Sequence, residues 1–193
     1  MGRVTRTITG KVLITGPSGS GKSTLSHFFR ERGENAVDGD EVRGLNRCVD
    51  LDGRPCRITK DQWRRAEDWQ HFWDGPTLER FLARNRNVLL FGASDNMFDL
   101  AHLFDRRIFL RASWSVLRTR LSHPNRGNDW GSEPGQREWV RTRAREWPIK
   151  ARKAGFEFVD ATLPPARIFR QICNTRDHIR RGRASGERLP VPA

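Results

Sequence analysis

The sequence predicts an α/β fold of three layers, a parallel sheet covered by helices on both faces. Three observations predict it. Short apolar runs recur as KVLIT (11–15), AVD (36–38), NVLLFG (87–92), RRIFLR (106–111) and FEFVD (156–160). Amphipathic stretches separate them, and strands that alternate with helices pair in parallel. At 193 residues the chain fits one domain, long enough to bury roughly two-thirds of the surface its unfolded form exposes.

Taken in order, KVLIT is a strand that ends at GPSGSGKST, where an amphipathic helix is expected over 22–32. AVD is followed by the acids of DGDEVRGLNR and a helix expected over 41–47, for which Asp40 is a candidate N-cap contributing about 1 kcal/mol. Helices are expected at 59–73 and 76–85 before the third strand, and at 112–121 after the fourth. The run SHPNRGNDWGSEPGQ (122–136) is dense in Gly, Pro, Asn and Ser, a long loop of the kind that serves as a lid. A helix over 136–153, the fifth strand and a helix over 164–180 complete a single domain, residues 1–180. The remainder, 181–193, has no apolar period and is expected to be a disordered basic tail.

Composition narrows the function classes. No apolar run approaches the roughly 18 residues of a membrane span, and the opening MGRVTRTITGKVLITG lacks a cleavage site, so no membrane partner or signal peptide is expected. Cys48, Cys56 and Cys173 are odd in number and irregular in spacing, which argues against a disulfide framework or zinc site and for a reducing cytoplasm. A net charge of +13, from 36 Lys and Arg against 23 Asp and Glu, implies an anionic partner and keeps nucleic acid among the candidates.

GPSGSGKST satisfies G-x-x-x-x-G-K-[ST], directly after a strand and opening a helix. Gly16, Ser18, Gly19, Ser20 and Gly21 form a loop whose backbone N–H groups converge on phosphate oxygens, with the helix N-terminus adding its positive end. Lys22 should reach the β and γ phosphates, Ser23 should ligate Mg²⁺, and Thr24 follows. ATP and Mg²⁺ are therefore the expected cofactors. An Asn-Lys-x-Asp guanine reader is missing, ITKDQ (58–62) having the wrong spacing. The acid that a motor ATPase carries at the end of its second apolar strand is missing too, because NVLLFGASDN runs through Gly92, Ala93 and Ser94 before Asp95. A small kinase, which takes its acid from the strand after the first helix, remains.

In this order of strand, phosphate loop, acid motif, lid and final strand, residues 10–175 resemble the P-loop kinase superfamily of nucleoside monophosphate, shikimate, adenylylsulfate and polynucleotide kinases. DGDEVRGLNR is similar to an Asp-Gly-Asp stretch of adenylylsulfate kinases, to the Gly-Asp-x-x-Arg of adenylate kinases and to the Asp-x-x-Arg of polynucleotide kinases. The resemblance implies a P-loop NTPase fold with a five-stranded parallel sheet in the order 2-3-1-4-5 and an arginine-bearing lid. It also implies transfer of the γ-phosphoryl of MgATP to a small anionic or hydroxyl-bearing acceptor: a nucleoside, nucleotide or related metabolite. Asp38 would hold Mg²⁺ through water, Asp40 would accept the acceptor's proton, and Arg43 would sit beside it toward an anionic group. Transfer to a hydroxyl benefits from such a carboxylate, whereas transfer to a phosphate needs cations more than a base. The alternatives are a polynucleotide or DNA-base kinase and a nucleotide-binding regulatory module that hydrolyses ATP slowly.

VLRTRLSHPNRGNDWG resembles the helix-to-lid passage of these kinases. It makes Arg118 a nucleotide contact and Arg126 a contact of the transferring phosphoryl group, with Arg120 behind them. Asp95 and Asn96, after the third strand, are candidates for the acceptor pocket. Arg137, Arg141 and Arg145 share one face of the 136–153 helix, solvated or polyanion-binding. Trp63, Trp69 and Trp73 fall on the expected 59–73 helix, with core packing favoured for Trp69 and Trp73 and base stacking as the functional alternative. DATLPPARI (160–168) matches the loop that borders adenine, through backbone around Asp160 to Thr162. A monomer or homodimer is expected.

Overall fold

The computed structural model describes residues 8–124 and 130–173. The elements run β1 (Lys11–Thr15), α1 (Lys22–Arg30), β2 (Ala36–Asp38), β3 (Asn46–Asp50), α2 (Lys60–Arg65), β4 (Trp69–Trp73) and α3 (Gly75–Arg84). They continue as β5 (Val88–Phe91), β6 (Arg106–Arg111), α4 (Trp114–Leu121), α5 (Pro134–Lys153), β7 (Glu157–Asp160) and a helix α6 over 165–173. Five strands form a parallel sheet in the order β2-β5-β1-β6-β7. Counted along the parallel strands alone, that order is 2-3-1-4-5, as the resemblance implied.

Alternation along β1 builds the layers. Val12 and Ile14 face a core with Phe29 of α1 and Ile168 and Ile172 of α6. Leu13 faces the opposite core, with Leu78 and Leu82 of α3 and Trp147 and Ala151 of α5. A strand covered on both sides has no polar face to display, which is why β1 and β5 read as unbroken apolar runs. The ends of β1 and β2 then open onto one edge of the sheet, where the phosphate loop and Asp38 meet. No helix among the described residues is long and apolar enough to cross a membrane.

Two expected helices are corrected. In place of a helix over 41–47, a single 3₁₀ turn, Gly39–Glu41, is followed by Gly44 at φ 77° and the strand β3. The cap is Asp38, whose Oδ1 accepts from Asp40 N at 3.2 Å, so Asp40 does not serve as an N-cap. The helix expected over 59–73 starts as predicted, with a Thr59–Gln62 capping box, but stops at Arg65 because Ala66 turns left-handed at φ 60°. WQHFW then pairs antiparallel with NRCVD, Asn46 opposite Trp73 and Asp50 opposite Trp69. This hairpin is a separate two-stranded sheet beside the parallel one.

The hairpin docks through glycine. Trp73 lies across the ends of β2 and β5, where a Cβ on Gly92 would come within 2.7 Å of its ring and one on Gly39 within 3.3 Å. The central glycine of Asp-Gly-Asp thus leaves room for an indole. The lid expectation covers 122–136; its last residues, from Pro134, already belong to α5, and residues 125–129 lie outside the described residues, as does the 181–193 tail.

Candidate active site

The phosphate loop wraps from β1 into α1 with Gly16, Gly19 and Gly21 at φ 154°, 83° and 91°. Gly16 has no room for a side chain, since a Cβ would meet the Leu110 carbonyl at 2.6 Å. Gly21 heads α1 with no side-chain cap, leaving the first N–H groups of the helix to an external acceptor. Lys22 Nζ donates to the carbonyls of Gly16 at 2.7 Å and Pro17 at 3.2 Å, which holds the ammonium over the loop. Ser18, Ser20 and Thr24 line the same cavity, about 1180 Å³ in volume, that holds Lys22 and Ser23.

Asp38, at the C-terminal end of β2, accepts a side-chain hydrogen bond from Ser23. Burial pushes its carboxyl above the ordinary aspartate range and repulsion from Asp40 adds to this, while the Asp40 N–H, Ser23 and Lys22 oppose the shift. A hydroxyl beside a carboxylate is a hard oxygen donor set that suits Mg²⁺. Among the described residues no cluster of three His, Cys, Asp or Glu offers an all-protein metal cage, so a cation here would keep water and phosphate ligands. Asp40 is exposed and lines the cavity with Asp38.

On the lid side the structure reorders the arginines. Arg120 lines the cavity and donates to Gly19 O at 3.3 Å and to Ala161 O at 2.9 Å, tying the phosphate loop to the loop after β7. Arg118 is exposed and is not part of the cavity lining. Arg126 lies outside the described residues. The loop after β7 is shaped by Asp160, which accepts from Thr162 N at 2.8 Å and Thr162 Oγ1 at 2.7 Å, and Leu163, Pro165 and Ile168 give the cavity an apolar flank there.

At the other end, several expected residues hold structure instead of facing the cavity. Asn96 Oδ1 accepts from Trp73 N and its Nδ2 donates to Trp73 O, both at 2.9 Å, so the side-chain amide pairs with β4 as another strand would. Asp95 accepts from His71 N at 3.1 Å and from Arg143 Nη2 at 3.0 Å, binding β4 to α5. Neither lines the large cavity, nor does the exposed Arg43. Arg47 does, its guanidinium 2.9 Å from Asp74.

Sequence reasoning missed His71, Asn46, Trp130 and Trp139, all of which line the cavity. His71 Nε2 lies 2.9 Å from Asn46 Oδ1, and Asn46 Nδ2 donates to Gly39 O at 2.9 Å. Burial lowers the His71 pKa, opposed by the charges of Asp40 and Asp95 and a hydrogen bond to the Ala93 backbone. Five indoles form a contiguous wall: Trp63 stacks on Trp69 (5.8 Å, 10°), Trp130 meets both edge-on, and Trp139 and Trp147 continue the row. Seven tryptophans with no tyrosine in 193 residues was the available signal.

Comparison with known proteins fits this geometry. Residues 12–134 match the AAA domain family AAA_18. Among curated proteins, no sequence matches. Solved structures with similar folds include a gluconokinase from Sinorhizobium meliloti 1021, at 20% identity and TM-score 0.54 over 95% of this chain and 100% of that one. A deoxyadenosine kinase from M. mycoides with bound dCTP aligns at 16% identity and TM-score 0.52, over 87% and 99% of the two chains. A shikimate kinase from Acinetobacter baumannii in complex with shikimate aligns at 13% and 0.55, over 87% and 95%. At these identities the likeness is one of fold. With the family match spanning most of the chain and the glycine loop, β2 acids and strand order in place, this chain belongs to the AAA domain family and has the P-loop fold of these small kinases.

Proposed function

We propose that the protein transfers the γ-phosphoryl group of MgATP to the hydroxyl of a small acceptor: a nucleoside, nucleotide or related metabolite. The observation that carries this reading is the shared cavity. The phosphate loop, the Ser23–Asp38 pair and the Asp40 carboxylate open onto one space of about 1180 Å³, large enough for a nucleotide and a second small molecule.

In this reading the loop N–H groups and Lys22 bind the triphosphate, and Arg120, held on the Gly19 and Ala161 carbonyls, adds positive charge beside the nucleotide. Ser23 and Asp38 would hold Mg²⁺, which neutralises charge on the β and γ phosphates when bound. Asp40 accepts the proton of the acceptor hydroxyl as its oxygen bonds to the γ-phosphorus. The bond from that phosphorus to the β–γ bridging oxygen breaks, and ADP leaves. Arg126, in the lid, is proposed as a further contact of the phosphoryl group, and Arg118 as a nucleotide contact made on closure.

The test is a panel of acceptors incubated with γ-labelled ATP, run with wild type and Asp40→Asn. Expected is label on a small hydroxyl compound, with turnover falling by a factor of about 10²–10⁴ in the variant while nucleotide affinity is retained. Label on oligonucleotides alone would favour a polynucleotide or base kinase, the reading supported by the net charge of +13. No transfer to any acceptor, with hydrolysis indifferent to Asp40→Asn, would leave a regulatory nucleotide-binding module.

A further inference from the structure

The acceptor end of the cavity differs in chemistry from the phosphate end. Trp63, Trp69, Trp130, Trp139 and Trp147 all line it. Trp63 and Trp69 lie parallel, Trp130 closes on them at 4.7 and 5.6 Å, and the Trp63 indole keeps 36% of its surface open. Beyond that pair the indoles meet edge-on at 66–87°, so the row is a stepped, weakly polar surface with Trp63 its most exposed member. A planar ring laid against an exposed indole face gains by stacking, as bases do on aromatic side chains.

Charge is distributed the other way. Among the described residues, the lysine and arginine side chains that line the cavity are Lys22 and Arg120, both at the phosphate loop, and Arg47, which is paired with Asp74. Arg143 stands behind the wall, bonded to Asp95 and stacked 4.2 Å over Trp139. The Asp40 carboxylate lines the same cavity, as does the His71–Asn46 pair, close enough for the Asp40 charge to act on His71. A phosphomonoester or carboxylate bound beside Asp40 would meet a like charge, and the two guanidiniums that line the cavity among the described residues are already held, Arg47 by Asp74 and Arg120 by two backbone carbonyls.

We propose that the tryptophan wall selects an uncharged acceptor with a flat ring, a nucleoside or a compound of that shape, and that acceptors already carrying phosphate or carboxylate are rejected. The proposal rests on the kinase reading above and narrows it. The ring lies on Trp63, the most exposed indole of the row, and its hydroxyl reaches Asp40. Arg43, expected to meet an anionic acceptor, does not line the cavity.

The full-length chain is titrated with the four deoxynucleosides, their 5′-monophosphates and gluconate, without ATP, while tryptophan emission is followed. Phosphoryl transfer to the same compounds is then measured. Expected are saturable quenching by at least one nucleoside and a kcat/KM for it at least 100-fold above that of its monophosphate and of gluconate. Trp63→Leu is expected to raise KM about tenfold or more with kcat changed less than threefold, and Trp63→Phe to restore most of the loss. Preferred transfer to a monophosphate or to gluconate, transfer to oligonucleotides only, or an unchanged KM in Trp63→Leu would overturn the proposal while leaving a kinase. Quenching by a nucleoside without transfer to anything would sustain the wall's selectivity and sink the kinase reading. Absence of quenching by every nucleoside would overturn the inference by itself.

Discussion

Single atoms decide how the cavity is framed. Gly92 sits at the end of β5 with a conformation open to any residue, so its identity is fixed by contact alone: a methyl group there would press into Trp73 at 2.7 Å. Gly92→Ala is expected to destabilise the fold by about 1–3 kcal/mol, the usual cost of overpacking, whereas Gly39→Ala, at 3.3 Å, is expected to cost less. Urea unfolding of both variants checks this, and equal midpoints would contradict it. These glycines also show what was legible at this scale. Gly16, Gly21, Lys22 and Ser23 could be read from sequence because phosphate binding demands contiguous backbone in a fixed spacing. Arg120, His71 and Asn46 could not, because their neighbours come from elements far apart in the chain. Arg120 reaches Gly19 and Ala161, 101 and 41 residues away, and no local pattern ranks it above Arg118.

At the level of elements, β1 and β5 were legible because burial on both faces leaves an unbroken apolar run, while the edge strands β2 and β7, only partly buried, were legible from their place in the alternation of strands and helices. The hairpin was not. Trp69 and Trp73 are four apart, a spacing that places them on one face of a helix after one turn and on one face of a strand after two pleats. Only the left-handed Ala66 settles which, and sequence does not announce it. One ion pair ties elements at the far side of the sheet: Arg106 of β6, 9% exposed, binds Glu157 of β7 through Nε at 3.0 Å and Nη2 at 2.8 Å. Its Nη1 also donates to Ile172 O of α6 at 2.8 Å. Glu157→Ala strands this guanidinium among buried groups and is expected to cost about 3 kcal/mol. A midpoint shift of under about 0.5 kcal/mol would mean that the carbonyl of α6 alone satisfies Arg106.

The whole molecule brings together two assemblies of different reach. Pairing in the main sheet joins residues as distant as Val12 and Arg106, while the hairpin pairs Asp50 with Trp69. The sheet supplies the phosphate loop and both acids, and the hairpin with α2, α5 and the segment just before α5 supplies the indole wall, so the cavity exists only where the two meet. Seating Trp73 requires the ends of β2 and β5 to be side by side already, because its slot is bounded by Gly39 and Gly92. That fixes an order in time. Docking of the hairpin is therefore expected after the main folding barrier, and a contact formed late changes the unfolding rate far more than the refolding rate. Stopped-flow measurements on Gly92→Ala are expected to give faster unfolding with refolding within about twofold of wild type. Refolding slowed in proportion to the lost stability would place the indole in its slot before the barrier is crossed.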